Sequence, residues 1–284
     1  MKPTVNAKSI RMAFTYVFVI AFSFVMVFPI LWLIFAAFKD NMELFTSLRI
    51  LPERFSIEPF VKGWTASSQV PFSTFYLNSI IIVSQVVLFT ILSCSLVGFG
   101  FARFKFPGKK ILFAIMISGL MIPATVVIVP RFILFRDFGW INTYKPFTIP
   151  ALLANHSFFI YMFVQFYKGI PKEYDESAFI DGASSFLLFR RIMLPLAAPA
   201  IYSCAIFQFM WTWNDFINPL IYINSVKKFP LSLGLKMTLD TNVGIVNWNQ
   251  IIAMAVIAMI PSIVVYLVFQ KHFVTGVTMS GLKG

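Results

Sequence analysis

Long runs without a single charge constrain this chain more than any other feature. Met12–Phe38 holds no Asp, Glu, Lys or Arg, and neither does Leu77–Phe101. The hydrocarbon core of a bilayer is about 30 Å thick, and a helix needs about 20 apolar residues to cross it. Backbone amides in lipid must find partners inside their own segment, so uninterrupted apolar runs of this length cross as helices. By the same ruler Ile111–Pro130, Phe147–Tyr167, Leu196–Trp213 and Ile251–Gln270 reach spanning length or approach it. Pro123 and Pro130 interrupt the third of the six stretches, and Asn214 and Asp215 end the fifth. The expected fold class is therefore an all-α membrane protein of six transmembrane helices, a single domain over residues 1–284. Composition agrees: 12% of the residues are charged, against about 25% in soluble domains.

Charge placement sets the expected orientation. Lys2, Lys8 and Arg11 precede the first run, and Arg103, Lys105, Lys109 and Lys110 crowd one short loop without an acid. Lys and Arg collect on the cytoplasmic side, which puts both termini, this loop and the 168–195 loop inside. Residues 39–76, 131–146 and 214–250 then lie outside. The contrast is weaker over the remaining loops. The net charge of +12 reads as topology rather than nucleic-acid binding, since no basic stripe interleaved with aromatics appears. A secretory signal has an apolar region of about 7–15 residues. Met12–Phe38 is far longer and reads as an uncleaved anchor. Cys94 and Cys204 sit in apolar runs and read as small buried hydrophobes.

Ion-coupled transporters mark their pathway with ionisable residues near the midplane, and these spans hold almost none. No G-x-x-x-x-G-K-[ST] loop is present, and Gly98-Phe99-Gly100 continues as Phe-Ala-Arg, which breaks the dinucleotide fingerprint. The chain is expected to bind no cofactor of its own, so uphill transport needs a partner that supplies energy. Two His and two Cys, scattered apart, form no catalytic set, so a membrane-embedded enzyme is the weaker alternative. Gln85, Asn155, His156 and Gln208 fall near mid-span. Such groups either hydrogen-bond between helices or line a polar path.

The 168–195 loop is the most informative segment. Pro171 suits a helix start, and Glu173, Asp175 and Glu176 complement the helix dipole in the first turns. Gly182 offers a turn, and Ser184 or Ser185 can cap a second helix in which Phe186, Phe189 and Ile192 recur at three-residue spacing. Exposed Phe179, Phe186 and Phe189 would make this helix–turn–helix a docking element rather than a solvated linker.

The loop reads Glu176-Ser177-Ala178, three residues, Gly182, nine residues, Ile192-Met193-Leu194-Pro195. That resembles the E-A-A–x3–G–x9–I–x–L–P motif of permease subunits in binding-protein-dependent ATP-driven importers, with Ser177 in place of the first Ala. Asn78-Ser79, Ala102-Arg103-Phe104, Phe106-Pro107-Gly108, Met121-Ile122-Pro123, Asn142-Thr143-Tyr144 and Trp213-Asn214-Asp215-Phe216 resemble the carbohydrate branch. The tail Gly276–Gly284 is similar to that of the shorter subunit in maltose-type importers.

The resemblance implies a type I importer permease fold and a set of partners: a second permease, two ATPase subunits that use ATP and Mg, an extracytoplasmic sugar-binding protein, and a carbohydrate solute. It implies that Glu176, Ser177, Ala178, Asp181, Gly182, Ala183, Ile192, Leu194 and Pro195 form the ATPase-coupling element. Ser280, Gly281 and Lys283 would approach the ATPase from the tail, unless they are a frayed terminus. Trp211, Trp213, Asn214 and Asp215 join Gln85, Asn155, His156 and Gln208 as pathway residues, because aromatic faces stack on sugar rings and amides or carboxylates bond hydroxyls. Trp near a span end is also a common interfacial anchor. The alternative function is a self-sufficient secondary transporter or channel.

Overall fold

The computed structural model describes residues 7–65, 70–240 and 246–281, with backbone alone for residues 7, 9, 10, 238–240 and 271–281. It is all helix and connecting loop, without a strand among the described residues. The chain forms two compact units, one of Met1–Pro71 with Met237–Met259 and one of Phe72–Lys236 with Ile260–Gly284.

In the first unit α1 (Ala7–Ala36) carries the first apolar run. Its side chains are exposed almost throughout, and a helix that is apolar all round belongs in lipid or a large core. Two short helices follow, α2 (Glu43–Thr46) and α3 (Glu58–Thr65). Asn41 ties this segment to the chain's later return: its Nδ2 donates to Val246 O at 3.2 Å, and its Oδ1 accepts from Trp248 N at 2.8 Å. Lys39 is buried, lies 3.9 Å from Glu43 and donates to the Arg49 carbonyl.

In the second unit α4 (Phe72–Arg103) is the axis. Then come α5 (Lys109–Ser118), α6 (Ile128–Asp137), α7 (Lys145–Leu152), α8 (Ser157–Gly169), α9 (Glu173–Ile180), α10 (Ser185–Leu188) and α11 (Leu194–Leu196). After these run α12 (Ala198–Trp213), α13 (Ile217–Tyr222), α14 (Leu231–Asp240), whose residues from Met237 belong to the first unit, and α15 (Trp248–Gly281), which belongs to the second unit from Ile260. Helices α7, α8 and α12 pack on α4. Cys94 and Phe99 of α4, Phe159, Phe163 and Tyr167 of α8, and Ala200 and Cys204 of α12 share one core. Both cysteines are buried and free, as small hydrophobes should be. Gly98 permits a close approach of α4 and α8, since a Cβ there would stand 2.6 Å from Phe163 Cβ.

Among the described residues four helical stretches are long and apolar enough to cross a membrane: Arg11–Ala36, Phe72–Arg103, Lys145–Gly169 and Trp248–Gln270. Ser185–Leu196 and Ala198–Trp213, bent by 74° at their junction, make a fifth if taken as one broken span. The expected third span, 111–130, is not one helix. After α5 a 3-10 turn over Gly119–Met121 ends at Ile122, whose ψ of 118° is extended. Pro123 is the cause, because its ring excludes the helical conformation from the residue before it. Pro130 does no such damage, since it falls in the first turn of α6, where proline is tolerated.

The Asn78-Ser79 pair holds a distant loop. Asn78 Nδ2 donates to Lys227 O and Phe229 O, both at 2.9 Å, and Ser79 Oγ accepts from Leu231 N at 2.8 Å. Asn78 is 8% exposed, so these bonds form away from water. Asn78→Ala should cost about 2 kcal/mol, from two bonds of about 1 kcal/mol each. Thermal melting of the detergent-solubilised protein measures this, and an unchanged melting temperature would contradict the role assigned to the pair.

Candidate functional site

The 168–195 loop folds into a short projecting element. Helix α9 ends where Gly182 N donates to Phe179 O at 3.1 Å and Ala183 N reaches back to Ala178 O at 2.9 Å. This is the pairing of a left-handed C-cap. Gly182 has φ +76°, and a Cβ there would meet nothing within 4 Å. Backbone conformation, not space, demands glycine at this position. Ser184 supplies the next cap, its Oγ accepting from Leu187 N at 3.3 Å.

Burial divides the motif in two. Ala178 is buried in the core shared by α4, α8 and α12, with Ala183, Ile192 and Leu194 packed against that core. Glu173, Glu176, Ser177, Asp181 and Gly182 are exposed, as are Tyr174, Phe179, Ile180 and Phe186. The result is a knob with acidic side chains around apolar ones. Phe189, expected on this surface, is instead buried, its ring 5.2 Å from that of Phe99. The reason is tertiary: Phe189 packs with its neighbour Leu188 into the core shared by α4, α8 and α12, and burying that ring outweighs the exposure that three-residue spacing suggests. Pro195 lies exposed at the start of α11.

Sequence reasoning read Arg103 as a topology signal and missed its contacts. Its side chain is 7% exposed, with Nε 3.1 Å from Asp175 Oδ2 and Nη2 donating to Ile170 O at 2.9 Å. Burial pushes the Asp175 carboxyl above the usual carboxylate range, against the pull of Arg103 and Lys172. The available signal was an arginine closing an apolar helix in the same polar layer as an acid-rich helix start.

The pathway residues are only partly brought together. His156 and Trp211 flank the Phe159 ring, at 5.9 and 5.1 Å between centroids, and Trp211 is 49% exposed. Gln208 is buried and donates to Thr212 Oγ1 at 2.9 Å. Gln85 lies on the exposed side of α4, and Asn155 is exposed in the break between α7 and α8. Trp213 is 6% exposed, stacked on Phe209 at 5.5 Å and edge-on to Tyr76 at 5.6 Å, so packing occupies its faces. Asn214 Nδ2 is returned to Met210 O at 2.8 Å. Asp215 accepts from Asn218 N at 3.2 Å and Nδ2 at 2.8 Å. Burial raises its carboxyl above the ordinary range, while those bonds and Arg131 oppose the rise. Ser280 and Gly281 lie in the backbone of α15, and Lys283 lies outside the described residues.

A second structural hub escaped the sequence reading. Asn142, at φ 60°, a conformation asparagine tolerates, accepts at Oδ1 from Asn224 N and Ser225 N. Its Nδ2 donates to Ser225 Oγ at 2.8 Å, and its backbone N to Tyr222 O at 2.7 Å. One side chain thus pins the 139–145 turn to the 222–228 loop.

Residues 94–279 match the family described as binding-protein-dependent transport system inner membrane component. The diacetylchitobiose uptake system permease protein of Streptomyces coelicolor is 29% identical over 95% of this chain and 89% of its own length. The arabinooligosaccharides transport system permease protein of Halalkalibacterium halodurans is 33% identical over 92% of this chain and 93% of its own. The sn-glycerol-3-phosphate transport system permease protein of Salmonella typhi is 30% identical over 90% and 92%. Among solved structures, a bacterial ABC transporter involved in the import of the acidic polysaccharide alginate superposes with a TM-score of 0.84. That match covers 96% of this chain and 100% of the other at 21% identity, and it speaks for the fold. With its apolar helices, its permease fold and a family match over more than half its length, the chain belongs to the inner membrane components of binding-protein-dependent transport systems.

Proposed function

We propose that this chain is one of two permease subunits of an ATP-driven carbohydrate importer, forming half of the translocation path. Its 171–195 loop couples closure of a partner ATPase to alternating access. The observation that carries this reading is the α9 knob: acids and apolar side chains exposed together, rooted in the helical core through Ala178. A lone soluble loop gains nothing by exposing Ile180 and Phe186, whereas a cleft on a partner can cover them. Glu173, Glu176 and Asp181 suit a cleft lined with basic residues. The ATPase, using ATP and Mg, sits in the cytoplasm with both termini of this chain, and a sugar-binding protein meets the opposite face. Carbohydrate is the solute class because relatives along nearly the whole chain carry diacetylchitobiose and arabinooligosaccharides in their names.

Glu176→Lys reverses the charge of the knob, and Gly182→Pro cannot adopt φ +76° and removes the amide donor to Phe179. In the reconstituted importer each should lower uptake by about tenfold or more, within the range of site–site couplings, while ATP hydrolysis continues. Normal uptake in both variants would sink the coupling role. Uptake by this chain alone, without ATP, would establish a self-sufficient transporter instead.

The two tryptophans separate packing from solute contact. Trp213→Ala should destabilise the protein by about 3–5 kcal/mol as a buried aromatic truncation. Trp211→Ala should leave melting nearly unchanged and weaken uptake by about tenfold, the equivalent of 1.4 kcal/mol of lost contact. Equal effects on melting from both would remove Trp211 from the path.

A further inference from the structure

The acids of α9 do not share one task. Glu173 and Glu176 are exposed, but Asp175, between them in sequence, turns inward to Arg103. Arg103 is the last residue of α4, the helix on which α7, α8 and α12 pack. Its guanidinium meets two successive points of the link into α9. Nη2 bonds the carbonyl of Ile170, which follows α8, and Nε faces the carboxylate of Asp175 in the first turn of α9. Nη2 also lies 3.8 Å from Met193 Sδ, in the π-helical turn after the knob. Segments before, within and after the knob therefore converge on one buried side chain.

A lever transmits movement only if its root does not hinge. The root here is Ile170-Pro171-Lys172, three residues outside any helix, and Pro171 cannot donate a backbone bond. Besides Arg103, the link has the backbone bond from Ile170 N to Tyr167 O at 3.2 Å and the packing of Ile170 against the core, while Lys172 O accepts from Asp175 N and Glu176 N inside the first turn of α9. Arg103 is the side chain that ties α4 to both ends of the link. The guanidinium reaches both groups at once, Nη2 bonding the carbonyl and Nε forming an ion pair with the carboxylate at 3.1 Å; an ammonium has a single nitrogen to offer the two.

We propose that Arg103 is a positioning residue of the transport machinery, clasping Ile170 O and Asp175 so that α9 and α4 move as one body when the partner ATPase closes. This rests on the coupling reading above, since it concerns how force leaves the knob rather than where the knob docks.

The test uses the complete complex of both permeases and ATPase, with spin labels on Glu173→Cys in α9 and Leu96→Cys on the exposed side of α4. The α4–α9 distance is measured by electron–electron resonance with and without ATP and Mg, and ATPase co-purification is recorded for every variant. The unsubstituted pair should give one narrow distance that ATP leaves unchanged. Arg103→Gln and Arg103→Lys should both retain the ATPase yet broaden or shift that distance on ATP addition. Asp175→Asn, which removes the charge of the ion pair but keeps the side chain's size and the Ile170 bond, should give an intermediate result and decides the matter if Arg103 variants fail to insert. A narrow, ATP-insensitive distance in Arg103→Gln, or in Asp175→Asn where that variant decides, would overturn the brace. So would full rescue by lysine. Loss of ATPase from the wild-type complex, or normal uptake in both Glu176→Lys and Gly182→Pro, would instead undo the docking reading beneath it.

Discussion

In lipid, helices gain nothing by hiding apolar surface from water, so they hold one another by close approach. The contact of α4 with α8 at Gly98 is one such approach, with Phe163 filling the space a side chain would take. Cys94, Thr90 and Ser95 continue the small-residue side of α4, all fully buried. Helices α7, α8 and α12 all lie against α4, and each end of α4 holds a segment outside the apolar helices. Asn78 and Ser79 at one end hold the 227–231 loop, and Arg103 at the other holds the root of α9.

Placement of polar groups follows from that frame. Where water is absent, a buried polar atom must find a partner: Ser93 Oγ donates across to Ala151 O of α7 at 2.6 Å, and Gln208 donates within its own helix to Thr212. The charged groups are gathered at the ends of the apolar helices, where they shape surfaces. On one such surface the knob is divided by burial, with Ala178 in the core, Asp175 turned to Arg103 and Glu173, Glu176 and Asp181 exposed. Gly182 closes the helix so that this face stops abruptly instead of running on into α10.

Much of the fold was legible because chain length and lipid thickness are coupled. The runs at 12–38, 77–101, 147–167 and 251–270 all coincide with helices of spanning length. The run at 111–130 misled because hydropathy cannot see a backbone constraint, and Pro123 stops a helix inside an apolar sequence. The αL turn at Gly182 and the Ser184 cap were readable from local chemistry. Phe189 was not, since its burial is set by Phe99 of α4, which spacing within the loop does not report. Arg103 with Asp175, and Asn142 with Ser225, are partners 72 and 83 residues apart; local periodicity carries no trace of such pairings.

The central claim is that the α9 knob seats in a cleft of a cytoplasmic ATPase. Site-directed cross-linking tests it most directly: Ser177→Cys on the exposed face of α9, paired with single cysteines around the ATPase cleft, in native membranes. The native Cys94 and Cys204 are buried and compete little for reagent. The account predicts efficient cross-links to the cleft that change on addition of ATP and Mg. Modification of Ser177→Cys by an impermeant thiol reagent from the outer face, with no cross-link to the ATPase, would contradict it.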